Sequence, residues 1–94
     1  MAKDCAKIAA EIIRLAGGKE NIRSAAYCAT RLRLILVDRA KVNEKEMEEV
    51  EGVKGTFFNA GQFQVILGSQ AADVYAEAIG MGVSAATSDD IRYI

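Results

Sequence analysis

The sequence predicts an α+β two-layer sandwich, a four-stranded antiparallel sheet with helices on one face, in the order α-β-β-α-β-β-α. Three observations carry that reading. The chain opens on an apolar stripe at helical spacing, Ile8, Ile12 and Leu15 beside Ala9, Ile13 and Ala16. Residues 30–37 then alternate at a period of two, the signature of a strand with two different faces. Finally, two short extended runs, 53–59 and 62–67, are separated only by a turn and must pair as a hairpin. Neighbouring strands joined by short turns pair antiparallel, which leaves the helices to cover one side.

Taken in order, residues 4–16 form the first helix, with Lys7, Glu11 and Arg14 on its wet side. Gly17-Gly18 stops it, because glycine accepts the left-handed conformation that a helix end needs. Residues 22–27 are a weaker extended segment rich in alanine. In the strand at 30–37, Leu32, Leu34 and Leu36 share one face, and Arg31, Arg33, Ile35 and Val37 share the other. Asn43-Glu44-Lys45-Glu46 has the capping-box pattern and opens a short helix through about Val50, burying Met47 and Val50. Asn59-Ala60-Gly61 turns the hairpin, with Gly61 available for a positive φ. Ser69 is placed to cap a last helix over 70–79, whose inner face is Ala71, Val74, Tyr75, Ala78 and Ile79. The sequence divides into a domain over 1–80 and a linker over 81–94, the end at Ile94 reading as a cut within a longer protein. On this layout the sheet's second face is largely open and carries Arg31 and Arg33.

At 94 residues the chain is a single small domain, of a size that buries roughly 60–65% of the surface its unfolded form exposes. The net charge of −1, with both signs mixed along the chain, argues against nucleic acid as the main partner. No run approaches the ~20 apolar residues a membrane span needs, and no signal-peptide core precedes the first helix, so a soluble intracellular domain is expected. The two cysteines, Cys5 and Cys28, are far apart in sequence. The sequence leaves a disulfide between them open, although two cysteines in a small cytosolic domain are more often reduced. There is no histidine and no Cys-x-x-Cys pair, which removes the common zinc sites and any triad with an internal histidine base. No cofactor is expected, and any histidine in the chemistry must come from a partner.

The stretch that carries chemistry is Ala25-Ala26-Tyr27-Cys28-Ala29-Thr30-Arg31-Leu32-Arg33. Cys28 falls in the turn between the first two strands, where a side chain can be exposed. Arg31 and Arg33 follow at two-residue spacing and leave the same strand face, with the Thr30 hydroxyl beside them. Cations near a thiol favour its thiolate, and planar guanidinium forks match phosphate oxygens with paired hydrogen bonds. A nucleophile beside two phosphate clamps suits phosphoryl transfer, which is mostly positioning and charge neutralisation. The plainer reading also stands on these residues alone, since isolated cysteines are often buried filler and outward arginines are often solvated surface. Cys5 has no such neighbours and reads as structural or incidental.

Cys28-Ala29-Thr30-Arg31-Leu32-Arg33, led by Gly17-Gly18-Lys19-Glu20-Asn21-Ile22, resembles the B domain (EIIB) of the glucose and sucrose superfamily of the bacterial phosphoenolpyruvate-dependent sugar phosphotransferase system. The likeness continues through Val53-Lys54-Gly55 and Gly61-Gln62-Phe63-Gln64-Val65-Ile66-Leu67-Gly68, and covers about Ile8 to Ile79. It implies a phosphotransferase domain in which Cys28 accepts a phosphoryl group from a phosphohistidine on an A domain (EIIA). Cys28 then gives it to a sugar held by a membrane-embedded C domain (EIIC). It also implies a cytoplasmic location, tethered to the inner face of the plasma membrane through that C domain. Cys28 matches the phosphocysteine position, and Thr30, Arg31 and Arg33 match the residues that follow it in the site, with Tyr27 and Ala29 completing the active-site turn. One departure is Tyr27, where members of the sucrose and β-glucoside branch commonly carry histidine; a tyrosine adds no positive charge at neutral pH.

Gln64 alternates away from Phe63, Val65 and Leu67 and is a further candidate for the arginine face. Gly68-Ser69 opens the last helix, whose N-terminus can attract phosphate. An alternative function is a signalling module, with phosphorylated Cys28 read by a regulatory protein. A thiol redox protein fits less well, because no resolving cysteine lies nearby. The sequence leans towards the sucrose, trehalose and β-glucoside branch on its Cys-Ala-Thr pattern but does not name the sugar.

Overall fold

The computed structural model describes residues 5–59 and 62–85. Its elements are α1 (Cys5–Leu15), β1 (Ile22–Tyr27), β2 (Arg31–Leu36), α2 (Glu44–Met47), β3 (Gly55–Asn59), β4 (Gln62–Ile66) and α3 (Ala71–Gly80). Short 3₁₀ turns precede β1, α2 and α3. The expected order is observed, and the four strands form one sheet, β1-β2-β4-β3, with every neighbouring pair antiparallel. Chain order does not specify this arrangement: β4 inserts beside β2 and leaves β3 at the edge. Four of the five β4 residues are buried, Gln62 to Val65, which only a central position allows.

One sheet face carries the core. Leu32 and Leu34 of β2 meet Val65 and Phe63 of β4 in register, and Phe63 is fully buried against Phe58. Helix α1 contributes Ile8, Ala9, Ile12 and Leu15, α3 contributes Ala71, Val74 and Ala78, and α2 contributes Met47. Burying one such large side chain stabilises the fold by roughly 1.5–3 kcal/mol. Cys5 packs at the margin of this core, and Cys28 forms no disulfide.

Helix α1 ends as its glycines require. The Gly18 N–H donates to the Ile13 carbonyl (2.9 Å) and the Gly17 N–H to the Arg14 carbonyl (3.2 Å), the two bonds of a Schellman motif. Gly17 has φ +102°, and a Cβ there would stand 2.9 Å from Nδ2 of Asn21. Asn21 explains the rest of the motif around it. Buried, it donates to the carbonyls of Ala16 (2.7 Å) and Asp38 (2.8 Å) and accepts from the Asp38 N–H (2.8 Å). One side chain thereby joins the end of α1 to the far end of β2.

Several boundaries differ from the sequence reading. The second helix has its Asn43 cap, whose side chain accepts from the Glu46 N–H (3.1 Å), but it is one turn long. After Glu48 the bonds tighten from i−4 to i−3, Glu49 to Glu46 and Val50 to Met47, and Gly52 at φ +94° ends the segment. Ser69 does not cap α3; it lies inside the 3₁₀ turn Gly68–Gln70, and Gln70 precedes the helix without a side-chain cap. The turn begins early because the Leu67 and Gly68 N–H groups are both tied to the Thr30 carbonyl. Asn59 pairs with Gln62 as the hairpin requires, while the positive φ expected of Gly61 lies outside the described residues.

The folded body also runs past Gly80. Val83 is buried, the Ala25 N–H donates to the Ser84 carbonyl (2.8 Å), and Ala85 bridges Ala25 in parallel. As an edge strand, β1 offers unpaired backbone groups, and the segment after α3 takes some of them.

Candidate functional site

The site is built at the turn between β1 and β2. The Cys28 N–H donates to the Arg31 carbonyl (2.9 Å) and closes the turn. The backbone N–H groups of Thr30 and Arg31 favour the thiolate of Cys28. From two residues further along β2, an Nη of Arg33 also donates to Sγ, at 3.7 Å. Burial pushes the thiol up, and it is the largest single effect. The Thr30 N–H, the Arg33 guanidinium through its hydrogen bond and its charge, and the Arg31 N–H together outweigh it, so the thiol sits below its ordinary value. The surroundings of the sulfur are those of an anion: backbone donors in a tight turn and one fixed cation.

Arg31 belongs to the same sheet face but does not point at the sulfur. One of its Nη groups donates to Oε1 of Gln64 (2.9 Å), and its Cζ lies 4.9 Å over the ring of Phe57. Gln64 is paired in register with Arg33 on one side and Phe57 on the other, which places it on the arginine face. In turn, Nε2 of Gln64 donates to Oε1 of Gln62 (2.8 Å). This face is not the open surface expected. Arg31 and Arg33 are half-buried, and Gln62 (1% exposed), Gln64 (3%) and Ser24 (1%) are covered. The side chains lie along the sheet and not out from it, held by the glutamines, Phe57 and Cys28. Among the described residues, Oγ of Ser24, Nε of Arg33 and Nε2 of Gln62 are buried polar atoms on this face without a partner.

The remaining residues of the sequence motif play backbone or packing parts. Ala29 is exposed. Thr30 is exposed too, and its carbonyl accepts from the N–H groups of Leu67 (2.8 Å) and Gly68 (2.9 Å), pinning the turn to the start of α3. The Gly68 amide is thus engaged by the Thr30 carbonyl. Tyr27 points to the helix face, 48% exposed, with its ring 4.7 Å from that of Tyr75 on α3.

Sequence reasoning missed Tyr75, Phe57 and Gln62 as neighbours of the site. Only Gln62 had a legible signal, the two-residue spacing of Gln62-x-Gln64 that puts both on one face. Among the described residues no three His, Cys, Asp or Glu side chains gather as metal ligands do, and no helix is long and apolar enough to cross a membrane. A recess of about 250 Å³ lined by Lys7, Ile8, Glu11, Glu49, Val50 and Glu51 shares no residue with the site.

Fold and site together define a small antiparallel α+β domain with a cysteine whose surroundings favour its thiolate. Comparison with known proteins gives that class a family. The family described as "phosphotransferase system, EIIB" matches residues 10–43. A crystal structure of one domain of the PTS system IIabc component from Clostridium difficile superposes with a TM-score of 0.82 at 45% identity, covering 89% of this chain and 88% of that one. The PTS system sucrose-specific EIIBC component of Bacillus subtilis (strain 168) is 52% identical over 66 residues, 70% of this chain and 14% of the relative. That of Klebsiella pneumoniae is 46% identical over 89 residues, 93% and 20% respectively. The trehalose-specific EIIBC component of Bacillus subtilis (strain 168) is 40% identical over 88 residues, 92% of this chain and 19% of the relative. The chain belongs to the EIIB family of the phosphotransferase system, as the sequence resemblance implied. It spans between 14% and 20% of the length of these curated relatives.

Proposed function

We propose that this domain carries a phosphoryl group on Cys28 between a phosphohistidine of an A domain and a sugar held by a membrane C domain. The observation that carries the reading is the sulfur itself, which accepts a hydrogen bond from the Arg33 guanidinium and whose thiol is lowered by that cation and by the backbone N–H groups of Thr30 and Arg31. In the first step the thiolate attacks phosphorus. A sulfur–phosphorus bond forms as the nitrogen–phosphorus bond breaks, and the departing imidazole nitrogen regains its electron pair and takes up a proton. In the second step a sugar hydroxyl oxygen attacks phosphorus, loses its proton, and displaces the thiolate. The groups that favour the thiolate thus serve twice, for the nucleophile and then for the leaving group. Arg33 at the sulfur and Arg31 on the same face are the cations that would receive the phosphoryl oxygens, Gln64 beside them.

The sugar reading follows the names of the relatives, which are sucrose-specific and trehalose-specific components. Sucrose is the first candidate. In this reading the segment beyond Ala85 leads towards the C domain and holds Cys28 at the cytoplasmic membrane face. Neither the site nor those names favour the alternative of a signalling module.

The test is phosphorylation in vitro. The chain is incubated with phosphoenolpyruvate, the general carrier proteins and a cognate A domain, and its intact mass is measured. One increment of ~80 Da, a single phosphoryl group of the kind these reactions move, is expected. It should persist in Cys5→Ser and vanish in Cys28→Ser; label retained in Cys28→Ser ends the proposal.

A further inference from the structure

We propose that Gln62 is a positioning residue that holds the Arg31 guanidinium in place by fixing the carboxamide of Gln64. Its consequence for phosphoryl transfer rests on the function proposed above; the geometry does not.

A guanidinium has only donors, so the Gln64 atom that faces Arg31 must be its carbonyl oxygen, found at 2.9 Å. That choice settles the rest of the group. The Gln64 amide nitrogen then faces Gln62, two residues back on the same face of β4, and needs an acceptor there. Oε1 of Gln62 supplies it at 2.8 Å. The polarity of the chain Arg31 to Gln64 to Gln62 is therefore one-way, and it terminates at Nε2 of Gln62, a buried donor with no partner among the described residues. An orphaned buried donor is costly, and an apolar side chain of equal volume would avoid the cost. Gln62, 1% exposed, is a poor filler. Its oxygen is what Gln64 uses.

The two arginines are thus held by separate devices. Arg33 is held by the sulfur. Arg31 is held by the glutamine relay, with Phe57 beneath it. Without the Gln62 oxygen, the Gln64 amide has nothing to donate to, its carboxamide is free to turn, and Arg31 loses a fixed acceptor. Because Nε2 of Gln62 makes no hydrogen bond among the described residues, replacing it by oxygen removes none of those seen. Gln62→Glu keeps an acceptor towards Gln64 in either protonation state, and Gln62→Leu removes it at similar volume.

The experiment compares the wild-type chain, Gln62→Leu, Gln62→Met and Gln62→Glu. In ¹⁵N-labelled protein the Arg31 guanidinium N–H signals should be resolved in wild type and Gln62→Glu, and averaged by rotation in Gln62→Leu and Gln62→Met. Delivery of phosphate from phosphorylated Cys28 to sugar, in membranes carrying the C domain, should fall about 10–100-fold in the apolar variants, as slight misplacement of a reacting group does. It should recover to within about threefold of wild type in Gln62→Glu, since the acceptor that positions the clamp is restored. The pH dependence of Cys28 alkylation should be the same in all four, because Arg33 and backbone amides, and not the Arg31 side chain, touch the sulfur. Resolved Arg31 signals in folded Gln62→Leu and Gln62→Met would reduce Gln62 to packing and overturn the proposal. Normal delivery despite averaged signals overturns it too, as does loss of the fold in both apolar variants. If wild type itself takes up no phosphate, the proposed function fails while the Arg31 signals still decide the role of Gln62.

Discussion

Cys28 sits where two opposing effects meet. Burial raises its thiol, while the Thr30 N–H, the Arg33 guanidinium and the Arg31 N–H lower it and prevail. The sign has two consequences. Thiolate persists below the ordinary cysteine value of about 8.5, so Cys28 alkylation should keep its rate to lower pH than that of an unperturbed thiol. A depressed folded value also means that ionised Cys28 favours the folded state. That contribution is complete above the unfolded thiol's value and is lost as pH falls through the folded one. In Arg33→Ala the sulfur loses its cation while burial remains, so the alkylation midpoint should move up. A midpoint unchanged in Arg33→Ala would mean that the 3.7 Å contact carries no charge stabilisation.

At the scale of elements, the strands are registered by polar side chains as much as by the core. Asn21 spans the end of α1 and the loop after β2 through three hydrogen bonds, and its neighbour Gly17 is glycine because any side chain there would strike it. Replacing Asn21 by alanine leaves the Ala16 and Asp38 carbonyls and the Asp38 N–H without that partner. The expected loss is about 3 kcal/mol, of the order found when buried groups are stranded. Denaturant unfolding should show a lower midpoint at unchanged slope. Cys28, at the other end of β1, should keep its alkylation profile. A variant as stable as wild type would show that water replaces Asn21 without penalty.

Across the whole molecule, the site occupies one end of the sheet. The Cys28 turn is fastened to Gly68 at the start of α3, while Asn21 and Asp38 lie at the opposite end. The recess between Glu11 and Glu49 belongs to the helical side. On the proposed function, a phosphohistidine partner would approach end-on, over Tyr27, Ala29 and Thr30, the exposed residues of the turn. Transient encounters of this kind use small, partly electrostatic contacts. Titration with a cognate A domain should shift the amides of residues 27–31 and Gly68 and leave residues 19–21 and 38–41 unmoved. Shifts confined to the Glu11 and Glu49 recess would place the partner elsewhere and count against the site.

What the sequence by itself determined was local. The alternation in β2 put Arg31 and Arg33 on one face, the glycines ended α1, and Cys28 was assigned to a turn, because each is governed by the chain within a few residues. The strand order was decided only by the tertiary structure, since inserting β4 between β2 and β3 depends on which strands can be buried on both faces. The same holds for the closed state of the arginine face. Alternation says which way Gln62 and Gln64 point, but the hydrogen bond from Arg31 to Gln64 needs β2 laid alongside β4 in one register. Ser69 failed as a cap for a related reason: the Thr30 carbonyl, 37 residues earlier than Leu67, holds the amides that set where α3 begins. A local rule cannot see a bond between segments that meet only in the folded chain.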